Sequence, residues 1–389
     1  MSQKVSSFSS SSASAKLLAI RWNRPHLSIL NQLLLPHVSE YIDIRSSTAG
    51  HHAIASMQTR GAPAIAIVAA LSLAAEVSQK RFSTAIEARD FITERLDYLA
   101  TSRPTAVNLF DAVTKLKRLV VEEARVAETG DQVVAIYVDA AEVMLAKDVQ
   151  DNRAIGSNGA EYIERMAGEL GVGRIKVLTH CNTGALATAG HGTALGIIRS
   201  LYQKSGSILE HVYFGETRPY NQGARLTAYE LQCEEIPATL VCDSSVSFLL
   251  KRDPSIVAII VGADRVARNG DTANKIGTYQ LAIAAKYHGR LFIVAAPSIS
   301  VDMGIGSGED IVIEERGQEE ITMASGFVGD KVAQGVLERE TLCVAPLGTR
   351  AWNPSFDVTP AELVSAIVTE KDVFVKAPGK NVFDLAGLK

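Results

Sequence analysis

Apolar residues recur at three- and four-residue spacing through the first 150 residues of the chain, and this spacing predicts helices. The predicted helices cover residues 51–57, 64–78, 84–99, 106–123 and 133–147. A short strand is predicted over 17–22, and a helix, or a helix with a strand, over 31–42. The first part of the chain is therefore expected to be mainly helical.

The pattern changes near residue 150, where short β-rich runs begin to alternate with helix-length stretches. Strands separated by helices predict βαβ units and a parallel sheet. The predicted strands cover residues 175–179, 212–214, 239–242, 257–261, 291–295 and 341–344. We therefore expect an α/β protein with a mainly helical domain over residues 16–150 and a parallel-sheet domain over residues 151–389.

The first fifteen residues are rich in serine and contain no apolar run typical of a secretory signal. They are predicted to form a disordered tail over residues 1–15. An organelle-targeting segment is the alternative, because the stretch has no acidic residue, although it also lacks arginine.

Composition excludes several classes of protein. With 39 basic and 43 acidic residues the net charge is −4, so a basic nucleic-acid coat is excluded and no nucleic-acid partner is expected. The apolar stretch over 62–77 is interrupted by Pro63 and Ser72, so no membrane association is expected. The four cysteines have no CxxC spacing, and scattered thiols suit a reducing compartment. The expected location is cytoplasmic, and a nuclear location as well stays open.

Chemically active side chains follow the predicted strands. Cys181 follows the first of them, Arg218 the second, Asp243 the third and Asp264 the fourth. Because parallel sheets bind ligands outside the carboxyl ends of their strands, these residues predict a site for a polar small molecule. Apolar neighbours favour a raised pKa for Asp264, as a general acid needs. The alternative is a carboxylate paired with Arg265 or Lys275.

Three further segments are candidates for ligand contacts. Arg60, Gly61 and Ala62 precede an Ala-rich helix with a proline in its first turn, which predicts an anion site at the helix N-terminus. The alternative is an ordinary helix start with a solvated arginine. Asn182–Gly184 is predicted to start a second helix, which would make Cys181 either reactive or simply buried. Asn274 and Lys275 are predicted to start a helical run, where Lys275 either holds a phosphate or lies on the surface.

A dinucleotide cofactor and a metal are not expected. The glycines of residues 190–196 lie about eleven residues beyond the preceding strand and are expected inside a helix, whereas a dinucleotide fingerprint follows its strand directly. The eight histidines show no metal-ligand spacing.

Six motifs together resemble the methylthioribose-1-phosphate isomerase family, which is related to regulatory subunits of translation initiation factor 2B. They stand in the family's order, and the likeness extends from about residue 17 to about residue 375. The motifs occupy residues 60–65, 102–109, 179–184, 216–228, 262–265 and 274–278.

The resemblance implies a helical N-terminal domain, a Rossmann-like C-terminal domain, a homodimer and no cofactor. It also implies roles for individual residues. Cys181 and Asp264 would be the catalytic pair, with Asp264 as the proton donor. The implied substrate-binding residues are Arg60, Gly61, Ala62, Arg103, Gln222, Asn274 and Lys275.

The implied reaction converts 5-methylthioribose 1-phosphate, an aldose, into 5-methylthioribulose 1-phosphate, a ketose of the methionine salvage pathway. Hydrogen moves from C2 to C1, either through an enolate with Cys181 as the base or by a direct hydride shift, and the sequence leaves both routes open. Two other functions also stay open. One is a non-catalytic initiation-factor scaffold, which has no need of an acid–thiol pair. The other is an isomerase acting on ribose 1,5-bisphosphate.

Overall fold

The first half of the chain forms a small antiparallel sheet followed by five helices. The computed structural model describes residues 17–104 and 106–388, so the predicted disordered tail lies outside the described residues. The elements are β1 (Ile20–Asn23), β2 (His26–Leu30), β3 (Tyr41–Ile44), α1 (Ser47–Ala55), α2 (Ala62–Val77), α3 (Ala85–Ala100), α4 (Val107–Glu123) and α5 (Gly130–Glu169).

The five predicted helices are confirmed, but the helix predicted within residues 31–42 is wrong. Those residues form turns that lead into β3. Pro36 supplies the physical reason, because proline lacks the backbone N–H of a helical bond and disfavours helical backbone at the residue before it.

The second half alternates strands and helices. Its elements are β4 (Ile175–Thr179), α6 (Ala194–Gln203), β5 (Leu209–Gly215), α7 (Ala228–Cys233), β6 (Ala238–Val241), α8 (Val246–Arg252), β7 (Ile256–Gly262), β8 (Arg265–Ala267), β9 (Thr272–Lys275), α9 (Thr278–Tyr287), β10 (Leu291–Ala295), β11 (Val301–Asp302), α10 (Glu319–Thr322), β12 (Met323–Phe327), α11 (Gly329–Ala333), β13 (Arg339–Cys343), β14 (Phe356–Thr359), β15 (Ala366–Val368) and β16 (Val373–Val375).

The main sheet has seven strands in the order β16-β15-β10-β7-β4-β5-β6. All neighbours are parallel except β16, which pairs antiparallel with β15. The six parallel strands follow a doubly wound order, with its reversal between β4 and β7. The predicted α/β fold with a parallel sheet is confirmed. Ligands bind at such a reversal, outside the carboxyl ends of the strands.

The strand predicted over residues 341–344 does not belong to this sheet. It forms β13, which pairs antiparallel with β12 in an exposed two-stranded hairpin. The sheet is completed instead by β15 and β16, and a second sheet has the order β11-β8-β9-β14. A short apolar run identifies a strand but not its partner, which is why the prediction assigned this strand to the wrong sheet.

The long helix α5 contributes to two of the three hydrophobic cores formed by the described residues. Its first half buries Val133 and Tyr137 among the N-terminal helices, and its second half buries Ile155 and Ile163 against α6 and the main sheet. The expected domain boundary near residue 150 therefore falls inside a continuous helix, and the division into residues 16–150 and 151–389 stays a prediction. None of the described helices is both long enough and apolar enough to cross a membrane.

The packing of α5 on α6 yields a testable prediction. A Cβ on Gly159 would overlap the buried side chain of Ile197, whereas a Cβ on Gly168 of the same helix has no atom within 4 Å. We expect Gly159→Ala to lower the free energy of unfolding by about 1–3 kcal/mol, because the core is overpacked. Gly168→Ala should be neutral or stabilise by up to about 1 kcal/mol. Urea unfolding measures both, and equal effects would contradict this packing.

Candidate active site

A cavity of about 470 Å³ lies where the N-terminal helices meet the carboxyl edge of the main sheet. It includes the switch point between β4 and β7, where the sequence predicted a site. Every residue predicted to contact substrate lines this cavity: Arg60, Gly61, Ala62, Arg103, Cys181, Gln222, Asp264, Asn274 and Lys275.

The start of α2 forms one wall of the cavity. Among the described residues the N–H groups of Gly61 and Ala62 have no hydrogen-bond partner, and Pro63 has no N–H to offer. The Nη1 atom of Arg60 is buried and also has no hydrogen-bond partner. Free N–H groups at a helix N-terminus favour an anion, and the helix dipole adds to the attraction.

Gly61 is required by both its backbone and its surroundings. Its φ of 99° lies in the region that favours glycine. A Cβ here would overlap the carbonyl oxygen of Ala187, which accepts a hydrogen bond of 3.3 Å from Ala64 N–H. The segment that follows β4 therefore packs directly on the first turn of α2.

Cys181 follows β4 in a left-handed backbone conformation, with φ 67°. For a residue with a side chain this conformation costs of order 1–3 kcal/mol, so the surroundings must hold it. Its N–H donates to Thr217 Oγ1 at 3.0 Å, and its carbonyl accepts from Thr227 Oγ1 at 2.6 Å. The buried Gln222 donates from Nε2 to the sulfur at 3.4 Å.

The helix predicted to start at Asn182 does not exist. Residues 182–192 are irregular and α6 begins at Ala194, so Gly190 and Gly192 lie in the loop and only Gly196 lies in the helix. The prediction that the whole glycine cluster is helical is wrong for the same reason.

The buried carboxylate of Glu230, on α7, holds this irregular segment. It accepts hydrogen bonds from Asn182 Nδ2 at 2.8 Å, Ala185 N–H at 2.7 Å and Leu186 N–H at 3.2 Å. Burial raises the pKa of Glu230, and the nearby Arg199 guanidinium opposes that rise. Sequence reasoning missed this residue. The only signal was a glutamate between apolar residues of a helix, and such residues are rarely buried without partners.

Asp264 follows β7 across the switch point from Cys181. Burial raises the pKa of its carboxyl group, while Lys275, Arg60 and Arg103 oppose that rise. Asp264 forms no ion pair with a described residue, and Arg265 instead pairs with Asp302 at 3.5 Å. The alternative of an Asp264–Arg265 pair is therefore wrong.

Asn274 and Lys275 end strand β9 and do not start a helix, which is a further correction. Helix α9 begins three residues later, at Thr278, whose hydroxyl accepts from Asn274 Nδ2 at 3.0 Å. Burial lowers the pKa of Lys275, and the nearby Cys181 and Asp264 oppose this. Lys275 is therefore not an ordinary surface lysine.

The cationic side chains of the cavity fall into two groups. Arg265 is paired with Asp302, and Arg316 with Glu320 at 2.5 Å. Arg60, Arg103 and Lys275, in contrast, form no ion pair with any residue in the described ranges. In that same part of the chain, no cluster of three or more His, Cys, Asp or Glu side chains is placed to hold a metal ion. The unpaired cations, together with the free N–H groups, suit a phosphate.

Comparisons with known proteins agree with this geometry. Residues 58–375 match the sequence pattern of the initiation factor 2 subunit family. A protein of Pyrenophora tritici-repentis named methylthioribose-1-phosphate isomerase is 54% identical over 375 residues, 95% of each chain. The crystal structure of 5-methylthioribose 1-phosphate isomerase from Pyrococcus horikoshii superposes with a TM-score of 0.83 at 34% identity, covering 96% of each chain. The structure described as translation initiation factor eIF-2B, subunit delta, from A. fulgidus gives 0.77 at 35% identity, covering 93% of this chain and 96% of that one.

The anion site at the start of α2 can be tested without substrate. Gly61→Ala should weaken inorganic phosphate binding about tenfold and lower stability by about 1–3 kcal/mol, because the first turn of α2 must move. Gly171→Ala is the control for a glycine of positive φ, since its φ is 67° but no atom lies within 4 Å of a Cβ. It should lose stability and keep phosphate binding. Calorimetric titration with phosphate distinguishes the two, and undiminished binding by Gly61→Ala would contradict the site.

Proposed function

We infer that this chain, which belongs to the initiation factor 2 subunit family, is a methylthioribose-1-phosphate isomerase. It converts the aldose 5-methylthioribose 1-phosphate into the ketose 5-methylthioribulose 1-phosphate in methionine salvage. The observation that carries the assignment is the position of a thiol, Cys181, and a carboxyl group, Asp264, on either side of the sheet's switch point. A protein–protein scaffold has no need of that pair beside unpaired cations.

The proposed phosphate ligands are Arg60 and the N–H groups of Gly61 and Ala62, with Arg103 adding positive charge. Gln222, Asn274 and Lys275 hold the rest of the sugar phosphate. Ribose 1,5-bisphosphate would need a second set of free cations, but Arg265 and Arg316 are already neutralised by acidic partners. Apolar lining that includes Met57 and Val107 suits a methylthio group better than a second phosphate.

The proposed chemistry begins with the ring. The anomeric oxygen carries the phosphate, so the ring opens only when the C–O bond to the ring oxygen breaks. Asp264 donates the proton to that oxygen, and its burial favours the protonated form that a donor needs. Cys181 then acts at C2 as a thiolate base, or it shapes the site for a hydride shift from C2 to C1. Both routes need no redox cofactor.

A homodimer in the cytoplasm completes the proposal. Tyr279, Ile283 and Tyr287 recur at four-residue spacing along α9 and are 41%, 46% and 84% exposed, and Phe248 on the adjacent α8 is 66% exposed. An apolar surface of this kind favours burial against a second copy of the chain. The partners proposed are therefore a sugar phosphate and a second subunit.

The decisive experiment follows turnover of 5-methylthioribose 1-phosphate by proton NMR in D2O. We expect the wild type to form the ketose, and Asp264→Asn to lower kcat by about 100-fold or more with a small change in KM, because the acid acts in the transition state. Since the donor must be protonated, kcat/KM of the wild type should fall as pH rises through the raised pKa of Asp264. The residual kcat/KM of Asp264→Asn should not show this fall with pH.

The same experiment distinguishes the alternatives. Deuterium at C1 would support the enolate, and its absence would count against a freely exchanging enolate. Full activity of Cys181→Ser would remove the thiol from the mechanism. No turnover of this substrate, but turnover of ribose 1,5-bisphosphate, would transfer the assignment to the second sugar. No turnover of either would favour the scaffold.

The dimer has its own test. Light scattering should give the wild type twice the 41.6 kDa mass of one chain. Ile283→Asp should lower the mass at micromolar concentration, because a charge would be buried in the interface. Val126→Asp is the control, since Val126 is 78% exposed and lies outside α8 and α9. A monomeric wild type would contradict the dimer.

A further inference from the structure

The segment that carries Thr217 has a contact with Cys181 that the proposed chemistry does not use. Thr217 is β-branched and adopts φ 63°, the same disfavoured left-handed region as Cys181. Its hydroxyl oxygen accepts the N–H of Cys181 at 3.0 Å, and its side chain is fully buried. Two adjacent turns in disfavoured conformations are thus joined by one hydrogen bond.

Asp243 holds the Thr217 turn from the neighbouring strand. It follows the edge strand β6, and its two carboxylate oxygens accept the N–H groups of Thr217 at 2.9 Å and Arg218 at 2.8 Å. A Cβ on Gly215, at the end of β5, would lie 2.5 Å from the Asp243 carboxylate, so glycine permits the close approach. Both oxygens of Asp243 are therefore committed to fixing this turn.

His180 completes the cluster formed by Cys181, Thr217 and Asp243. Its Nε2 lies 2.9 Å from the carbonyl oxygen of Ile276, so Nε2 carries the proton and Nδ1 faces Thr217 Oγ1 at 3.5 Å. Burial lowers the pKa of His180, with Asp243 opposing, and the neutral ring fits this arrangement. The cluster connects the turn that bears Cys181 to the one that follows Lys275.

We propose that Asp243, acting through Thr217, is a positioning residue that holds Cys181 in its left-handed conformation and aims the thiol at the reaction centre. Asp243 does not touch the cavity. It fixes the acceptor of the Cys181 N–H, and that bond in turn fixes the direction of the Cα–Cβ bond. The sulfur then stays within reach of Gln222. The kinetic part of this inference rests on the proposed function, whereas the position of the thiol does not.

The test uses Asp243→Asn and the pair Thr217→Val and Thr217→Ser. In Asp243→Asn an amide NH2 group faces a backbone N–H, and Thr217→Val removes the acceptor while conserving shape. Both should lower kcat about tenfold, the factor corresponding to one buried N–H group left without its acceptor, with KM within about twofold, because the proposed phosphate ligands are untouched. Thr217→Ser should retain most of the activity.

Asp253→Asn is the matched control. Asp253 accepts from Ser255 N–H and pairs with Lys176 at 2.9 Å, at the opposite end of the sheet from the cavity. It should lose thermal stability and keep kcat. A merely structural role for Asp243 predicts the same result for both variants, so an unchanged kcat in folded Asp243→Asn would overturn the proposal. If Asp243→Asn does not fold, an unchanged kcat in Thr217→Val, compared with Thr217→Ser, would overturn the proposal instead.

Alkylation of Cys181 by iodoacetamide, followed by peptide mass spectrometry, gives a readout that needs no turnover. Cys181 is 7% exposed in the wild type, and release of its thiol should increase the rate of alkylation several-fold in Asp243→Asn and Thr217→Val but not in Thr217→Ser. The exposed Cys343 is the internal reference. An inactive wild type would refute the proposed function alone, while unchanged alkylation in both variants would refute the positioning role.

Discussion

The arrangement of the site depends on one buried carboxylate. Glu230 accepts three hydrogen bonds from residues 182–186, a stretch of irregular backbone with no helix or strand partners of its own. Buried N–H groups without partners are strongly unfavourable, and Glu230 satisfies those of Ala185 and Leu186 as well as the Asn182 amide. The charge is balanced by the buried Arg199, which also pairs with Glu234. Gly184 is part of the same constraint, since a Cβ there would overlap the carboxylate.

That single segment connects the two parts of the proposed mechanism. Cys181 stands at its beginning, and six residues later Ala187 packs on Gly61 at the proposed phosphate site. The N-terminal region also forms hydrogen bonds with this segment. Gln32 donates to the Leu186 carbonyl at 2.7 Å, and Asp148 accepts the Ala189 N–H at 2.7 Å. These contacts hold Cys181 and the proposed phosphate site on one packed segment.

The sequence predicted the position of a site residue wherever that residue directly follows a recognisable strand. Cys181 and Asp264 were predictable because apolar runs mark strands, and parallel strands bring their ends to one edge. The course of residues 182–192 was not predictable, because it is imposed by a glutamate almost 50 residues further along the chain. Arg103 and Gln222 likewise carry no local signal. They came from the family resemblance alone, and tertiary packing brings them to the cavity.

In the proposed function, the electrostatics of the cavity link phosphate binding to acid catalysis. In the free protein, burial raises the pKa of Asp264, while Lys275, Arg60 and Arg103 oppose that rise. Within the cavity, those three cations are also the ones that form no ion pair with a described residue. A bound phosphate dianion would neutralise their field, and the desolvating effect of burial would then act on Asp264 with less opposition. In the proposed function, substrate binding would therefore favour the protonated form of Asp264 that a proton donor needs.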